Sequence, residues 1–251
     1  MITKRIIPCL YVREGCILQR ESLEGEKCTL VELAKYYSEC GADELLFYDV
    51  TPSMTDRKRY LNVLREAASN IFIPLTVAGG VYKLGDFESA LSCGADKVSV
   101  NSGAINNPSL IGEAAKKYGA QCVVLCVDVK KVNGEYRVFT KGGKADTGLN
   151  ACEWMKRCAG EGAGEIVVNS VDFAGKKCGY DIALLKEVSS SVGVPVIASG
   201  GVGRIEDFVA LFKEMPTIDA GLASSVFQIK EISMKNLKDT LAENGIPVRK
   251  I

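Results

Sequence analysis

Two stretches of the chain recur at one fixed offset, and that offset limits the fold more than any other feature. "GADELLFYDV" begins at Gly41 and "GAGEIVVNSV" at Gly162, while "IPLTVAGGV" begins at Ile73 and "VPVIASGGV" at Val194. Both pairs lie 121 residues apart in a chain of 251. A repeat of half the chain implies two copies of one supersecondary half. β-Branched runs over 5–11, 44–51, 73–78, 97–101, 122–129, 165–170, 194–199 and 218–223 read as strands. Helical periodicity falls between and after them, over 30–40, 58–69, 84–93, 110–118, 151–161, 182–192, 205–212 and 234–243. Eight strand-then-helix units in about 250 residues predict an α/β fold, a single (β/α)8 TIM barrel spanning 1–251 with an internal half-barrel repeat. A doubly wound open sheet is the alternative. The run "CVVLCV" is apolar at every position, as a parallel strand covered on both faces requires.

Composition narrows the chemistry. Lys plus Arg and Asp plus Glu both count 31, so no net field favours nucleic acid or a membrane surface. Neither a secretory h-region nor an 18-residue apolar run is present, and the expected compartment is the cytoplasm. The ten cysteines form no CxxC pair, and several lie in apolar runs, which points to reduced thiols acting as small hydrophobes. Histidine is absent, which removes Ser-His and Cys-His pairs, histidine bases and most zinc sites. Acid–base work must fall to Asp, Glu, Lys, Tyr or Cys. No cofactor or metal is called for.

The ends of the strands carry the candidate chemistry. Each Gly pair, Gly79-Gly80 and Gly200-Gly201, ends a strand of one half, and Asn101-Ser102 or Ser224-Ser225 ends the next. Glycine lets backbone N–H groups approach an anion, so two matched sites suggest an elongated ligand with a phosphate at each end. Tight turns are the plainer explanation of any one pair. Asp49, Asp128 and Asp172 lie at or just past strand ends, where a carboxylate is either an acid–base group or a loop-ordering acceptor. Asp128, ending the longest buried run, is the strongest candidate. Arg5, Glu44, Lys97 and Glu165 start strands and place two charges of each sign at the opposite end. They form either a ring of ion pairs closing the bottom or a gate on an axial passage. After the fifth strand, Asn133-Gly134 predicts a two-residue hairpin, and the glycines that follow suggest a mobile lid.

Together "KRIIPCL", "GADELLFYDVT", "IPLTVAGGV", "GADKVSVNSGAINNPSLI", "VDVKKVNGEYRVFTKGG", "TGLNACEW", "GYDIALLKEVS", "VPVIASGGVG" and "ASSVF" resemble the cyclase subunit of imidazole glycerol phosphate synthase along nearly the whole chain. The resemblance implies a barrel with two phosphate sites. Gly80, Asn101 and Ser102 match one, and Gly175, Gly201, Ser224 and Ser225 the other. It implies a glutaminase subunit at the barrel bottom, and ammonia admitted past Arg5, Glu44, Lys97 and Glu165. It also implies two catalytic aspartates, at the ends of strands 1 and 5. Asp128 matches the second, but the first is Tyr11.

Other departures lie at the same rim: Gln19 for a lysine, Lys141 for a histidine, and Asp172-Phe173-Ala174-Gly175-Lys176 where the family pattern reads "DRDGT". An unperturbed phenol has a pKa of roughly 10 against about 3.9 for Asp, so Tyr11 is a neutral donor where an anionic base is expected. Losing one of two acid–base groups typically costs about 10²–10⁴-fold in rate. The sequence therefore favours a paralogue that passes ammonia to a phosphorylated or sugar acceptor, with a sugar amidotransferase as a possible third partner. The alternative is the cyclase of histidine biosynthesis with an altered active site, and a third is a scaffold that only activates a glutaminase.

Overall fold

The computed structural model describes residues 3–18, 29–51 and 57–250. Its strands are β1 (Arg5–Arg13), β2 (Cys16–Ile17), β3 (Leu45–Asp49), β4 (Leu75–Ala78), β5 (Lys97–Val100), β6 (Val123–Val132), β7 (Glu135–Thr140), β8 (Ala145–Asn150), β9 (Glu165–Ser170), β10 (Val196–Ser199) and β11 (Ala220–Ala223). The helices are α1 (Leu30–Glu39), α2 (Arg57–Ala68), α3 (Leu84–Leu91), α4 (Ser102–Asn106), α5 (Ser109–Tyr118), α6 (Ala151–Glu161), α7 (Ile182–Ser189), α8 (Ile205–Glu214), α9 (Ser225–Gln228) and α10 (Met234–Glu243). Among the described residues no helix is long and apolar enough to cross a membrane.

Eight parallel strands follow one another around a ring in the order β1, β3, β4, β5, β6, β9, β10, β11. Pairing of β11 with β1 and of β5 with β6 leaves no free edge, so the sheet is a closed (β/α)8 TIM barrel. The two repeated halves sit across the ring: β3 and β9 are four places apart, as are β4 and β10. Local chemistry starts the helices where the pattern predicts. Thr29 and Glu32 form a reciprocal capping box on α1, and Asn150, Asp181 and Ser233 cap α6, α7 and α10.

Side-chain alternation along the strands builds two apolar layers. Ile6, Leu10, Phe47, Val123 and Leu125 face the helices. Ile7, Cys9, Leu46, Val124, Cys126, Val167 and Ile197 fill the interior, with Tyr11 and Tyr48 packed on top of them. A period of two then ties one end of the barrel to the other. Arg5, Ile7, Cys9 and Tyr11 form one inward column; Glu44, Leu46 and Tyr48 form the next. Lys97, Ser99 and Asn101 form a third, Val124, Cys126 and Asp128 a fourth, and Glu165, Val167 and Asn169 a fifth. Each column with a charge at its foot carries a polar group at its head.

Three details concern the excursions from the parallel ring. β1 runs on past Tyr11 to Arg13 and folds back onto β2 through Glu14 and Gly15, both at positive φ. The Asn133-Gly134 hairpin forms as expected, with φ of 51° and 89°. The segment expected to be a lid is instead largely a third antiparallel strand, because Gly142 and Gly143 turn the chain and β8 then pairs with β7. Thr147 fixes it by donating its hydroxyl to the Val138 carbonyl at 2.7 Å.

Candidate active site at the barrel mouth

At the carboxyl ends of β3 to β6 lies a cavity of about 520 Å³. Its floor and walls include Tyr48, Ser99, Asn101, Cys126 and Asp128, and its rim includes Gly80, Tyr82, Ser102 and Lys141. Asp128 is buried and held from two sides. Asn169 Nδ2 donates to one carboxylate oxygen at 2.7 Å and Asn101 Nδ2 to the other at 3.2 Å. Asn169 is itself oriented by Ser199, whose hydroxyl donates to its Oδ1 at 3.2 Å. Burial pushes the Asp128 carboxyl above the usual range, and the two amides pull against that rise. The group is a fixed, partly desolvated acceptor, suited to proton transfer.

Tyr11 stands beside this cavity and is not among the residues lining it. Its ring leans on Tyr48 with centroids 5.2 Å apart, and the two residues are register partners on β1 and β3. Tyr48 does line the cavity. Burial, then the nearby Cys126 and Asp128, drives its phenol far above the ordinary range and keeps it protonated. Two buried polar atoms of the lining, Ser99 Oγ and Asn101 Oδ1, have no hydrogen-bond partner among the described residues.

The other two candidate carboxylates order loops. Asp172 accepts from the Lys131 amide at 2.8 Å and Asp49 from the Thr51 amide at 2.9 Å. The first glycine of each pair is required by the fold: a Cβ on Gly79 would lie 1.9 Å from the Asp49 carbonyl oxygen, and one on Gly200 2.5 Å from that of Ser170. Gly80, Asn101 and Ser102 therefore gather on one side of the mouth, although the Asn101 amide is turned toward Asp128. Gly175, Gly201 and Ser224 lie in the loops after β9, β10 and β11, and Ser225 opens α9. Ser224 donates to Gln228 at 2.8 Å within its own turn. The short helices α4 and α9, opening at Ser102 and Ser225, escape the sequence pattern because 3.6-residue periodicity needs more than one turn to show. Lys141 reaches the rim, while Lys144 and Lys176 are exposed. Gln19 lies outside the described residues.

At the opposite end the four charges form one closed ring. Arg5 pairs with Glu44 at 3.1 Å and with Glu165, and Lys97 bridges both carboxylates at 2.8 and 2.9 Å. Thr76 adds a hydroxyl to Glu44. Burial works against the Lys97 charge, but Glu44 and Glu165 outweigh it and raise the ammonium's pKa. Burial likewise disfavours the Glu165 charge, yet Arg5 and Lys97 prevail and hold that carboxyl below its ordinary range. At the same end of the barrel, in the turn leading into β4, Phe72 is 95% exposed. Its position inside "NIFIP" carries no periodic mark, so only the surface reveals it.

A family of histidine biosynthesis proteins matches residues 5–233. The chain belongs to this family. It is also 46% identical over 253 aligned positions to the imidazole glycerol phosphate synthase subunit HisF of Clostridium botulinum (strain Okra / Type B1), covering 99% of this chain and 100% of that protein. The full-length match makes it a HisF-like cyclase subunit and the barrel component of an amidotransferase complex. The likeness favours histidine biosynthesis over the sugar-pathway paralogue that the rim substitutions alone suggest.

Proposed function

We propose that this chain is the cyclase subunit of an imidazole glycerol phosphate synthase, using ammonia from a glutaminase to close an imidazole ring on a phosphorylated nucleotide. The observation that carries the reading is Asp128, retained at the head of its column in a cavity and clamped by two amides, within a chain 46% identical to a HisF from end to end. Gly80 and Ser102 on one side, and Gly175, Gly201, Ser224 and Ser225 on the other, would hold the two phosphates, with Lys141 adding charge at the rim.

The bottom ring and the interior suit ammonia delivery. The interior layer is apolar, which admits neutral ammonia and penalises ammonium. The ring of Arg5, Glu44, Lys97 and Glu165 closes that axis at the face where the glutaminase would dock, and Phe72 offers it an apolar anchor. A partner that shifts one of the four side chains would open the way.

The test is turnover of the family's nucleotide substrate with an ammonium salt, in the full chain, read as release of the aminoimidazole nucleotide. Turnover supports the cyclase. Tight binding of the nucleotide without turnover, even with ammonium in excess, would reject it and favour nitrogen transfer to another acceptor, the reading that Tyr11 in place of aspartate supports.

A further inference from the structure

In a family that uses an aspartate at the end of its first barrel strand, this chain has a tyrosine there, and that tyrosine does not line the cavity. Its partner on the next strand does. We propose that Tyr48, on β3, is the hydrogen-bond donor that works across the cavity from Asp128, with Tyr11 as the wall that fixes its ring. The proposal rests on the cyclase reading above and names a group within that same site.

Three observations converge on Tyr48. It heads the inward column that starts at Glu44, so its side chain rises from the apolar interior into the cavity that Asp128 also lines. Its ring is held against Tyr11 at 5.2 Å and an interplanar angle of 35°, so the hydroxyl has little freedom to swing. The cavity that Tyr48 and Asp128 line is also lined by Ser99 and Asn101, whose buried Oγ and Oδ1 lack a partner among the described residues. Buried polar groups are nearly always satisfied, so such atoms in a cavity wall point to a polar ligand that completes them. The phenol stays protonated because burial, Cys126 and Asp128 all oppose its ionisation. It can only donate.

That role fits the charge changes of ammonia addition. When the ammonia nitrogen bonds to a carbonyl carbon, the C=O π pair moves onto oxygen and the nitrogen becomes positive. The Tyr48 hydroxyl hydrogen-bonds the oxygen as its negative charge grows, and one N–H proton passes to the Asp128 carboxylate. Asp128 then returns that proton to the oxygen, and no outside oxidant or reductant is needed. An aspartate at position 11 could supply a second base. A neutral phenol instead supplies an oxyanion donor, so the two carboxylates of the family become one carboxylate and one donor.

The experiment compares Tyr48→Phe, Tyr11→Phe and the unaltered full chain, each with ammonium salt and the nucleotide substrate. It measures kcat, KM, calorimetric Kd for the nucleotide, and melting temperature. Removing a donor to a developing oxyanion typically lowers kcat by about 10²–10³-fold. Tyr48→Phe should fall in that range, with Kd weakened roughly tenfold by the lost ground-state hydrogen bond. Tyr11→Phe keeps the supporting ring, and its loss in kcat should be at least tenfold smaller. The idea is overturned if Tyr48→Phe keeps kcat within threefold, or if Tyr11→Phe is the more damaging. Should the unaltered chain bind the nucleotide without turning it over, the cyclase reading fails by itself, and the Kd comparison decides Tyr48: equal affinities overturn it, a tenfold loss confined to Tyr48→Phe supports it. A chain that neither binds nor turns over the nucleotide overturns both.

Discussion

Glu165→Gln tests the bottom ring because it removes one charge while keeping the side chain's shape. The carboxylate is 9% exposed, pairs with Arg5, and lies 2.9 Å from Lys97 Nζ. Its loss leaves Arg5 and Lys97 sharing Glu44 alone, two positive charges against one negative. Breaking a buried ion pair by removing one partner costs about 3–5 kcal/mol. Here the Arg5 and Lys97 side chains keep 25% and 19% of their exposure, and glutamine can still accept one hydrogen bond. The expected cost is therefore smaller, about 2–3 kcal/mol. At roughly 2–4 °C per kcal/mol for a barrel of this size, the melting temperature should drop by about 4–12 °C at pH 7.

The pH dependence has a definite sign. The Glu165 carboxyl sits below its ordinary range in the folded protein, whereas in the unfolded chain it titrates near the usual value of about 4.3. Its ionised form therefore stabilises the fold fully above about pH 5, and that stabilisation fades as pH falls through the lower folded value. Thermal melts followed by circular dichroism should show the gap between wild type and Glu165→Gln full at pH 7 and narrowing below pH 4. A gap under 1 °C at pH 7, or one that does not change with acid, would refute the reasoning.

Asn169→Leu removes the 2.7 Å donor to Asp128, so the carboxyl should rise further and the acid limb of the pH–rate profile should shift to higher pH. Gly79→Ala would push a Cβ to 1.9 Å from the Asp49 carbonyl oxygen at a φ of 94°, and should cost more than about 3 kcal/mol in chemical denaturation; Gly134→Ala, with nothing within 4 Å, should cost only about 1 kcal/mol of backbone strain. Among the described cysteines, thiol labelling of the native protein, located by mass spectrometry, should modify the exposed Cys16 and Cys178 first. Burial pushes the Cys9 and Cys158 thiols up to about 12, so both should stay unlabelled until the chain unfolds.

The barrel was legible because its causes are local and periodic. Strands such as β6 are apolar on both faces, caps such as Thr29 and Asn150 mark helix starts, and the offset of 121 residues announces two halves. Asp128 was legible for the same reason, since it ends such a strand. Tyr48 was not. Nothing in "LLFYDV" says which neighbour shares its cavity, because that depends on the register of β1 against β3 and on the ring of Tyr11 beside it. The clamp of Asn169 and Asn101 on Asp128 likewise joins residues 41 and 27 positions away, a distance no periodicity covers. For Asp172 the sequence leaves both an acid–base and a loop-ordering role open, and in space its carboxylate accepts from the Lys131 amide of the neighbouring strand.

The inward columns that join the charged ring to the mouth also govern how such a barrel can change over time. From Arg5 to Tyr11 is six residues, about 20 Å of strand, and both ends need the same parity. Inserting or deleting one residue between them would turn either the charge or the phenol out toward the helices and bury it in hydrocarbon. Within these strands, only substitution can alter the mouth while leaving the ring intact. Loops at the rim can lengthen and diverge without that penalty. Novelty at the mouth should therefore accumulate as exchanged side chains at columns of unchanged length, the kind of change that would set Tyr11 where the resemblance implies an aspartate.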